Sequence, residues 1–261
     1  FTPVPGQRLL VRQETAASER SGLKRMLLSG IAAVAEQMKL SSAHITFCDE
    51  DELPAGGELG FIQRFGQQFH WHNHGYADFD DFLAALQSRK RKAIRRERRA
   101  VAESGLDIRI FTGAEIESGH WDAFYGFYRS TTDRKWGESY LRRKFFHLLG
   151  QRLGDRVVLV LAMRGGTPVA GALNLLGDDC LYGRNWGAIE DHEFLHFECC
   201  YYQAIEFAIT KGLARVEAGA QGPHKVQRGY LPAPTYSLHW VRDPGLEHAV
   251  ADFVERERIQ I

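Results

Sequence analysis

The chain has 261 residues, and its 33 lysines and arginines are balanced by 33 aspartates and glutamates, so the formal net charge is zero. No global field steers it onto nucleic acid or an anionic membrane, and any such partner must use a local patch. The length suffices for one large domain or two small ones. No apolar run reaches the roughly 20 residues of a membrane helix, and the N-terminus lacks a charged-then-apolar secretory signal; together these predict a cytoplasmic protein.

The chain opens at Phe1, inside the turn segment Phe-Thr-Pro-Val-Pro-Gly and without a methionine, which reads as a piece of a longer chain. Leu9 to Arg12 is short and strand-like, and Leu23 to Met38 has helical apolar spacing. His44 to Cys48 reads as the next strand. After the Pro54-Ala-Gly-Gly turn, Phe61 to Trp71 alternates as one or two strands. Asp78 or Asp80 can cap one long helix running to about Glu103, with Phe82, Leu86, Ala93, Ile94 and Val101 as its apolar stripe and Gly105 ending it. Asp107 to Phe111 reads as a strand, followed by helices over about Glu115 to Thr132 and Tyr140 to Leu153.

The clearest β signal is a three-strand antiparallel meander over Val157 to Met163, Val169 to Leu176 and Cys180 to Trp186, joined by Gly-rich turns. Phe194 to Lys211 is an apolar helix ended by Gly212. Arg215 to Ala218 and Tyr236 to Val241 are strands, and Pro244 to Arg258 is an amphipathic helix. This succession makes an α/β (α+β) unit. Cys48, Cys180, Cys199 and Cys200 form no Cys-x-x-Cys pair and read as small buried hydrophobes rather than a disulfide framework or thiolate metal site.

Chemistry concentrates between Glu217 and Pro232. Gly219 and Gly222 allow close backbone approach to a ligand, Glu217 or His224 can act as a base, and Lys225 and Arg228 can grip an anion. A charged surface loop fits the same residues. Arg184 and Trp186 end a meander strand where an acyl carbonyl would sit, or serve in a cation-π or capping contact. His70, His72 and His74 alternate along a strand, so they share one side, as metal ligands or as cleft-lining hydrogen-bonding groups. His192-Glu193-Phe-Leu-His196 matches the H-E-x-x-H spacing of zinc hydrolases, in which both histidines share a helix face. The helix from Ser88 to Arg99 is strongly basic; Arg89, Arg91, Arg95 and Arg98 can contact the phosphates of a tRNA or a nucleotide-linked precursor, or face water as a solvated linker helix.

Three segments carry a family resemblance: Arg91-Lys92-Ala93-Ile94-Arg95-Arg96 followed by Gly105-Leu-Asp-Ile; the hairpin Gly166-Thr-Pro-Val-Ala-Gly-Ala; and Gly75-Tyr76 with Phe79 to Phe82, then Leu195-His-Phe-Glu-Cys-Cys-Tyr-Tyr-Gln-Ala-Ile and the Glu217 loop. Together they resemble the FemAB-like branch of the GNAT superfamily, proteins of peptidoglycan biosynthesis or recognition. The resemblance implies two GNAT-like domains with mixed, largely antiparallel sheets flanked by helices. The first would be incomplete and occupy 1–76, a basic connecting helix 77–106, and the second domain 107–261. It also implies N-acyl or aminoacyl transfer to an amine, with a cell-wall precursor among the acceptors, no tightly bound cofactor or metal, and acyl-CoA or aminoacyl-tRNA as donor.

In that reading Glu217, His224, His196 and Glu198 form the catalytic set, and Lys225, Arg228, Tyr230, Arg184, Trp186, His70 and His72 bind substrate. One departure bears on the donor: Arg184-Asn-Trp-Gly187-Ala-Ile-Glu keeps the arginine and first glycine of an acetyl-CoA pyrophosphate loop but has Ile189 where the last small residue belongs. A zinc hydrolase on His192, Glu193 and His196 and a non-catalytic binding module are the competing readings.

Overall fold

A computed structural model of the chain describes residues 4–134 and 139–259. Its elements are α1 (Ala17–Gln37), β1 (Ser42–Cys48), α2 (Leu53–Glu58), β2 (Ile62–His72), α3 (Phe79–Ala85), α4 (Ser88–Glu103), β3 (Asp107–Thr112), α5 (Ser118–Arg134) and α6 (Arg143–Leu153). There follow β4 (Val157–Arg164), β5 (Thr167–Leu176), β6 (Cys180–Ala188), α7 (Leu195–Phe197), a π-helical turn over Glu198–Tyr202, α8 (Gln203–Thr210), β7 (Arg215–Glu217), β8 (Leu231–Val241) and α9 (Pro244–Arg258). This is a mixed α/β fold with largely antiparallel strands.

The chain forms two compact units, Phe1–Gln68 with Ala233–Ile261, and Phe69–Pro232. In the first, β1 pairs antiparallel with β8, Ser42 opposite Val241 and Ile45 opposite Leu238. That pairing groups the last segment of the chain with the first, so the compact units cut across the division at 76 and 106. Leu28, Ile45, Leu53, Phe61 and Leu238 form the core of this unit. Gly56 is required there, because a Cβ would run into Leu238.

The second unit carries the meander: β3 pairs with β4, β4 with β5 and β5 with β6, all antiparallel, and β6 then pairs parallel with β7, which is antiparallel to the end of β2. Strand β4 is buried on both faces. Val157, Leu159, Leu161 and Met163 pack with Phe124, Phe127 and Phe146 of α5 and α6, whereas Val158, Val160 and Ala162 face the cores that contain Ile94, Val101, Tyr202 and Ile205. Alternation along the strand thus sets two helical layers against opposite faces.

Several sequence expectations are corrected. Leu9 to Arg12 is not a strand: the amides of Arg8 and Leu9 donate to the carboxylate of fully buried Glu52, at 3.0 and 2.6 Å, instead of entering a ladder. The Pro54 turn is the short helix α2, with Pro54 in its first turn, where a missing N–H costs nothing. The single helix expected from Asp78 to Glu103 is two. Asp78 caps α3 through Asp81 N at 2.8 Å, Leu86 is extended at ψ 154°, and Arg91 donates to the carbonyls of Ala84 and Leu86 at the break. The helix from Phe194 to Lys211 is interrupted by the π turn, in which Gln203 N–H reaches back five residues to Glu198 O. Cys48, Cys180, Cys199 and Cys200 are free thiols. No helix among the described residues is long and apolar enough to cross a membrane.

Candidate active site

The site lies in the second unit, where β6 and β7 part. Their parallel pairing covers only Cys180–Arg215, Leu181–Val216 and Tyr182–Glu217, although β6 continues to Ala188. Beyond Glu217 the chain stays with β2: Phe69 N donates to Gly219 O at 3.1 Å and Ala218 N to Phe69 O at 3.0 Å, and Gly219 turns at φ +73°. A fork therefore opens between β6 and the 218–224 loop. On the β6 side, Thr131 and Ser130 of α5 cap the carbonyls of Trp186 and Ala188, each at 3.1 Å. Helix α5 comes this close because Gly187 has no Cβ to strike the Phe127 backbone.

Opposite sheet faces carry different groups at the fork. Leu181, Val216 and Trp71 point into the core beneath α8, so Cys180, Tyr182, Arg215, Glu217, His70 and His72 point the other way. There Glu217, 5 % exposed, accepts from Arg215 Nε at 3.0 Å, and its other oxygen lies 3.9 Å from His70 Nε2. Burial raises the Glu217 pKa despite the guanidinium. Burial, then His72 and Arg215, lower that of His70 to about 4. His70 is thus neutral at pH 7, so the two do not meet as an ion pair.

On the α8 face, His224 and His196 come together with Tyr201, Trp186 and Phe197. Tyr201 Oη lies 3.0 Å from His224 Nε2. His196 stands edge-on to Trp186 and Tyr201, both at 5.3 Å between centroids, and 6.3 Å from the His224 ring. Burial, then Arg228 and Lys225, lower the His224 pKa, while burial keeps the Tyr201 phenol protonated. Gly222, at φ +98°, has space only for a hydrogen beside the His224 ring. A cavity of about 290 Å³ adjoins, lined by Thr131, Trp186, Ala188, Leu195, His192 and His196 with Glu190 and Asp191. A larger groove of about 720 Å³, around Trp121 and His147, contains none of these groups.

The remaining expected site residues are placed as follows. Lys225 is buried, donates to Ala218 O and Gly219 O at 2.6 and 3.2 Å, and lies over the Phe69 ring; it pins the diverging loop, and burial lowers its pKa to about 8. Arg228 is buried against Glu97, stacks on Phe197 at 3.4 Å and donates to His224 O at 2.9 Å. Its Nε–H has no hydrogen-bond partner among the described residues. Tyr230 is fully buried, its hydroxyl on Tyr201 O at 3.4 Å. Glu198 does not join His196: two residues on along the helix, it is held by Arg98 at 3.1 and 3.2 Å and by Gln203 at 2.7 Å. Arg184 is the extra residue of a β-bulge, Leu173 pairing with Asn185 and Asn174 with Gly183. It makes no hydrogen bond or ion pair to the described residues and remains half-buried, a cation left over at the fork.

The H-E-x-x-H reading fails on geometry. Phe194 is left-handed at φ 63° and the helix starts only at Leu195, so His192 lies outside it, bound to Glu190 and Arg164 at 2.8 and 3.0 Å. The two histidines share no helix face. No group of three or more His, Cys, Asp or Glu among the described residues is placed to hold a metal; of the three alternating histidines only His70 and His72 lie on β2, which ends at His72, and His74 follows it in the loop. Of the arginines expected to reach phosphates, Arg91 caps carbonyls, Arg95 pairs with Asp80 at 2.9 Å and Arg98 with Glu198 and Glu206; Arg89 alone is unengaged among the described residues. Sequence reasoning missed Tyr201, Phe197, Arg215 and Glu97, though the Tyr-Tyr pair in an otherwise apolar helix was a visible signal.

The sequence profile of the FemAB-like family, described as peptidoglycan biosynthesis/recognition, matches residues 1–261. No curated protein matches. Among solved structures, the C-terminal domain of a protein described as a lysylphosphatidylglycerol synthetase from Agrobacterium fabrum superposes with a TM-score of 0.65 at 10% identity, covering 89% of this chain and 77% of that one. FemX gives a TM-score of 0.63 at 11% identity, covering 95% and 82%. A tandem GNAT protein from the clavulanic acid biosynthesis pathway gives 0.55 at 12%, covering 93% and 76%. At these identities the likeness is one of fold.

Proposed function

The chain belongs to the FemAB-like family, and from that premise we propose that it is an N-acyltransferase that moves an acyl or aminoacyl group onto an amine at the fork between β6 and β7. The observation that carries this reading is the end of parallel pairing at Tyr182–Glu217, with His224, Tyr201, His196 and Trp186 grouped beside the opening. An extended donor entering the fork meets backbone that no strand occupies, the free Arg184 cation and an aromatic cavity.

In the proposed reaction the amine nitrogen attacks the acyl carbonyl, and the carbon–nitrogen bond forms as the donor's ester or thioester bond breaks. The amine proton passes to neutral His224, and the leaving hydroxyl or thiol takes up a proton. In the tautomer where His224 Nε2–H donates to Tyr201 Oη, the protonated phenol keeps its own O–H for the carbonyl oxygen and Nδ1 is left to take the amine proton. Arg228 positions His224 through its carbonyl. Glu217 and His70, on the other sheet face, form a second titrating pair against which the incoming amine can be desolvated.

An aminoacyl donor fits the family description and the name of one neighbour, lysylphosphatidylglycerol synthetase, better than acetyl-CoA does. The turn after β6 offers Glu190 and Asp191 where a diphosphate would have to sit, and α7 is only three residues long. The test is transfer from labelled aminoacyl-tRNA and from acetyl-CoA to an amine-bearing peptidoglycan-precursor peptide. Product from neither donor, with the chain folded, defeats the proposal.

A further inference from the structure

In the first unit, His44 of β1 and His239 of β8 stand directly opposite each other on antiparallel strands. Their neighbours Ile45 and Leu238 point into the core, so the histidines project from the other face, His44 exposed and His239 half-buried. The two Nδ1 atoms lie 2.8 Å apart, with ring centroids 4.9 Å apart and planes at 65°. On the same strand face as His44, Ser42 holds its Oγ 2.9 Å from His44 Nε2. That oxygen can accept the Nε2–H and leave the Nδ1 lone pair bare. The His239 ring makes no other hydrogen bond to the described residues. The charged groups that bear on it, Arg64 and Glu257, are tied to each other by two bonds of 2.7 Å.

We propose that His44 and His239 chelate a divalent copper or nickel ion through their Nδ1 atoms, with water in its remaining positions. For metal–nitrogen bonds of about 2.0–2.1 Å, two ligands at a right angle lie about 2.9 Å apart and two at the tetrahedral angle about 3.3 Å. The spacing of the pair therefore suits a square-planar or tetragonal ion better than tetrahedral zinc. Coordination displaces two waters from the aqua ion. The His239 Nδ1 proton moves through solvent to its unbonded Nε2, so both ligands are neutral imidazoles and no net proton is released. Small rotations of the two rings swing their lone pairs from each other onto the ion, while Ser42 holds His44 in the required tautomer from outside the ligand set. The bound ion clips together strands whose histidines are 195 residues apart in sequence. This inference rests on side chains of the first unit alone and stands whether or not the chain transfers acyl groups.

The test titrates the tag-free full chain with Ni(II), Cu(II) and Zn(II) by calorimetry, beside His44→Gln, His239→Gln, Ser42→Ala and a control, His248→Gln, which changes an exposed histidine of α9. Thermal melting without metal checks that each variant folds; should His239→Gln fail, exposed His44 and Ser42, which is no ligand, still decide the matter. Wild type and the control are expected to bind a single equivalent of copper or nickel, to hold nickel more tightly than zinc, and to melt at a higher temperature with nickel present. Either ligand variant should lose that equivalent and the melting shift, and Ser42→Ala should weaken binding about tenfold. Pulsed EPR of the copper-loaded wild type should show two coordinated imidazole nitrogens. No equivalent bound by wild type, which would leave a plain histidine–histidine hydrogen bond, would overturn the proposal. So would binding that survives loss of either histidine, zinc held as tightly as nickel, or a single coordinated imidazole.

Discussion

His224 and Tyr201 meet through a 3.0 Å hydrogen bond between imidazole Nε2 and phenol oxygen, and the two groups are tuned in complementary directions: burial holds the histidine neutral and the phenol protonated. Replacing His224 by Gln should lower the transfer rate by roughly 10²- to 10⁴-fold, the span of general acid–base catalysis, with little change in KM. Because its pKa is lowered, the base form persists below the ordinary imidazole range, so the acid limb of the rate profile should fall below pH 6.5. A limb at or above 6.5 would exclude His224 as the base.

Arg228 and Glu97 are both buried, with Arg228 Nη2 at 2.9 and 3.0 Å from the carboxylate oxygens, and Tyr202 also donates to Glu97. Glu97→Leu strands a buried guanidinium and should cost about 3–5 kcal/mol in denaturant unfolding. The double change Glu97→Leu/Arg228→Met should recover much of that stability and still slow transfer, since it releases the His224 carbonyl. If the double variant is as unstable as the single, the pair is not an isolated ionic unit.

Arg184 is assigned to substrate by its freedom. Arg184→Gln should raise KM about tenfold, the scale of one charge-assisted hydrogen bond, while kcat and melting temperature stay level. A fall in melting temperature of several degrees would show that the bulge serves the fold instead.

Gly187 lets α5 pack onto β6. Gly187→Ala places a methyl group against the Phe127 backbone and should destabilise by about 1–3 kcal/mol. An unchanged unfolding midpoint would mean that α5 can retreat from the strand.

His70 gives a pH signature of defined sign. Unfolded, it titrates near 6.5; folded, near 4. Between those values the unfolded chain binds a proton that the folded chain refuses, so its contribution is complete above 6.5 and fades as pH falls toward 4. Glu217, raised by burial, acts in the opposite sense, its contribution fading as pH rises through its folded value. Chemical unfolding at stepped pH should therefore show His70→Gln losing less stability than wild type between 6.5 and 4. Parallel curves would contradict the assignment.

The meander was legible because its β-rich runs are punctuated by Gly-Gly and Gly-Asp-Asp turns, and the terminal helix because Asp243 and Pro244 mark its start. The break at Leu86 was not, since Phe82, Leu86 and Ile94 continue one apolar stripe across it. Nor was the exclusion of Leu9 from a ladder, which depends on Glu52, 43 residues away. At the site, proximity in sequence misled. Glu217 and His224 look like one loop but face opposite sides of the sheet, and Arg228 looks like a surface cation because its partner Glu97 lies 131 residues distant. The left-handed Phe194 that separates His192 from His196 leaves no mark in an H-E-x-x-H pattern.

The most direct test of acyl transfer at the fork is single-turnover mass spectrometry of an amine-bearing peptidoglycan-precursor peptide incubated with the chain and aminoacyl-tRNA, run beside His224→Gln. The account predicts that the peptide gains the mass of one amino acid less one water, quickly with wild type and at least about a hundredfold more slowly with the variant. Equal rates for the two chains, or a mass gain that appears without protein, would contradict it.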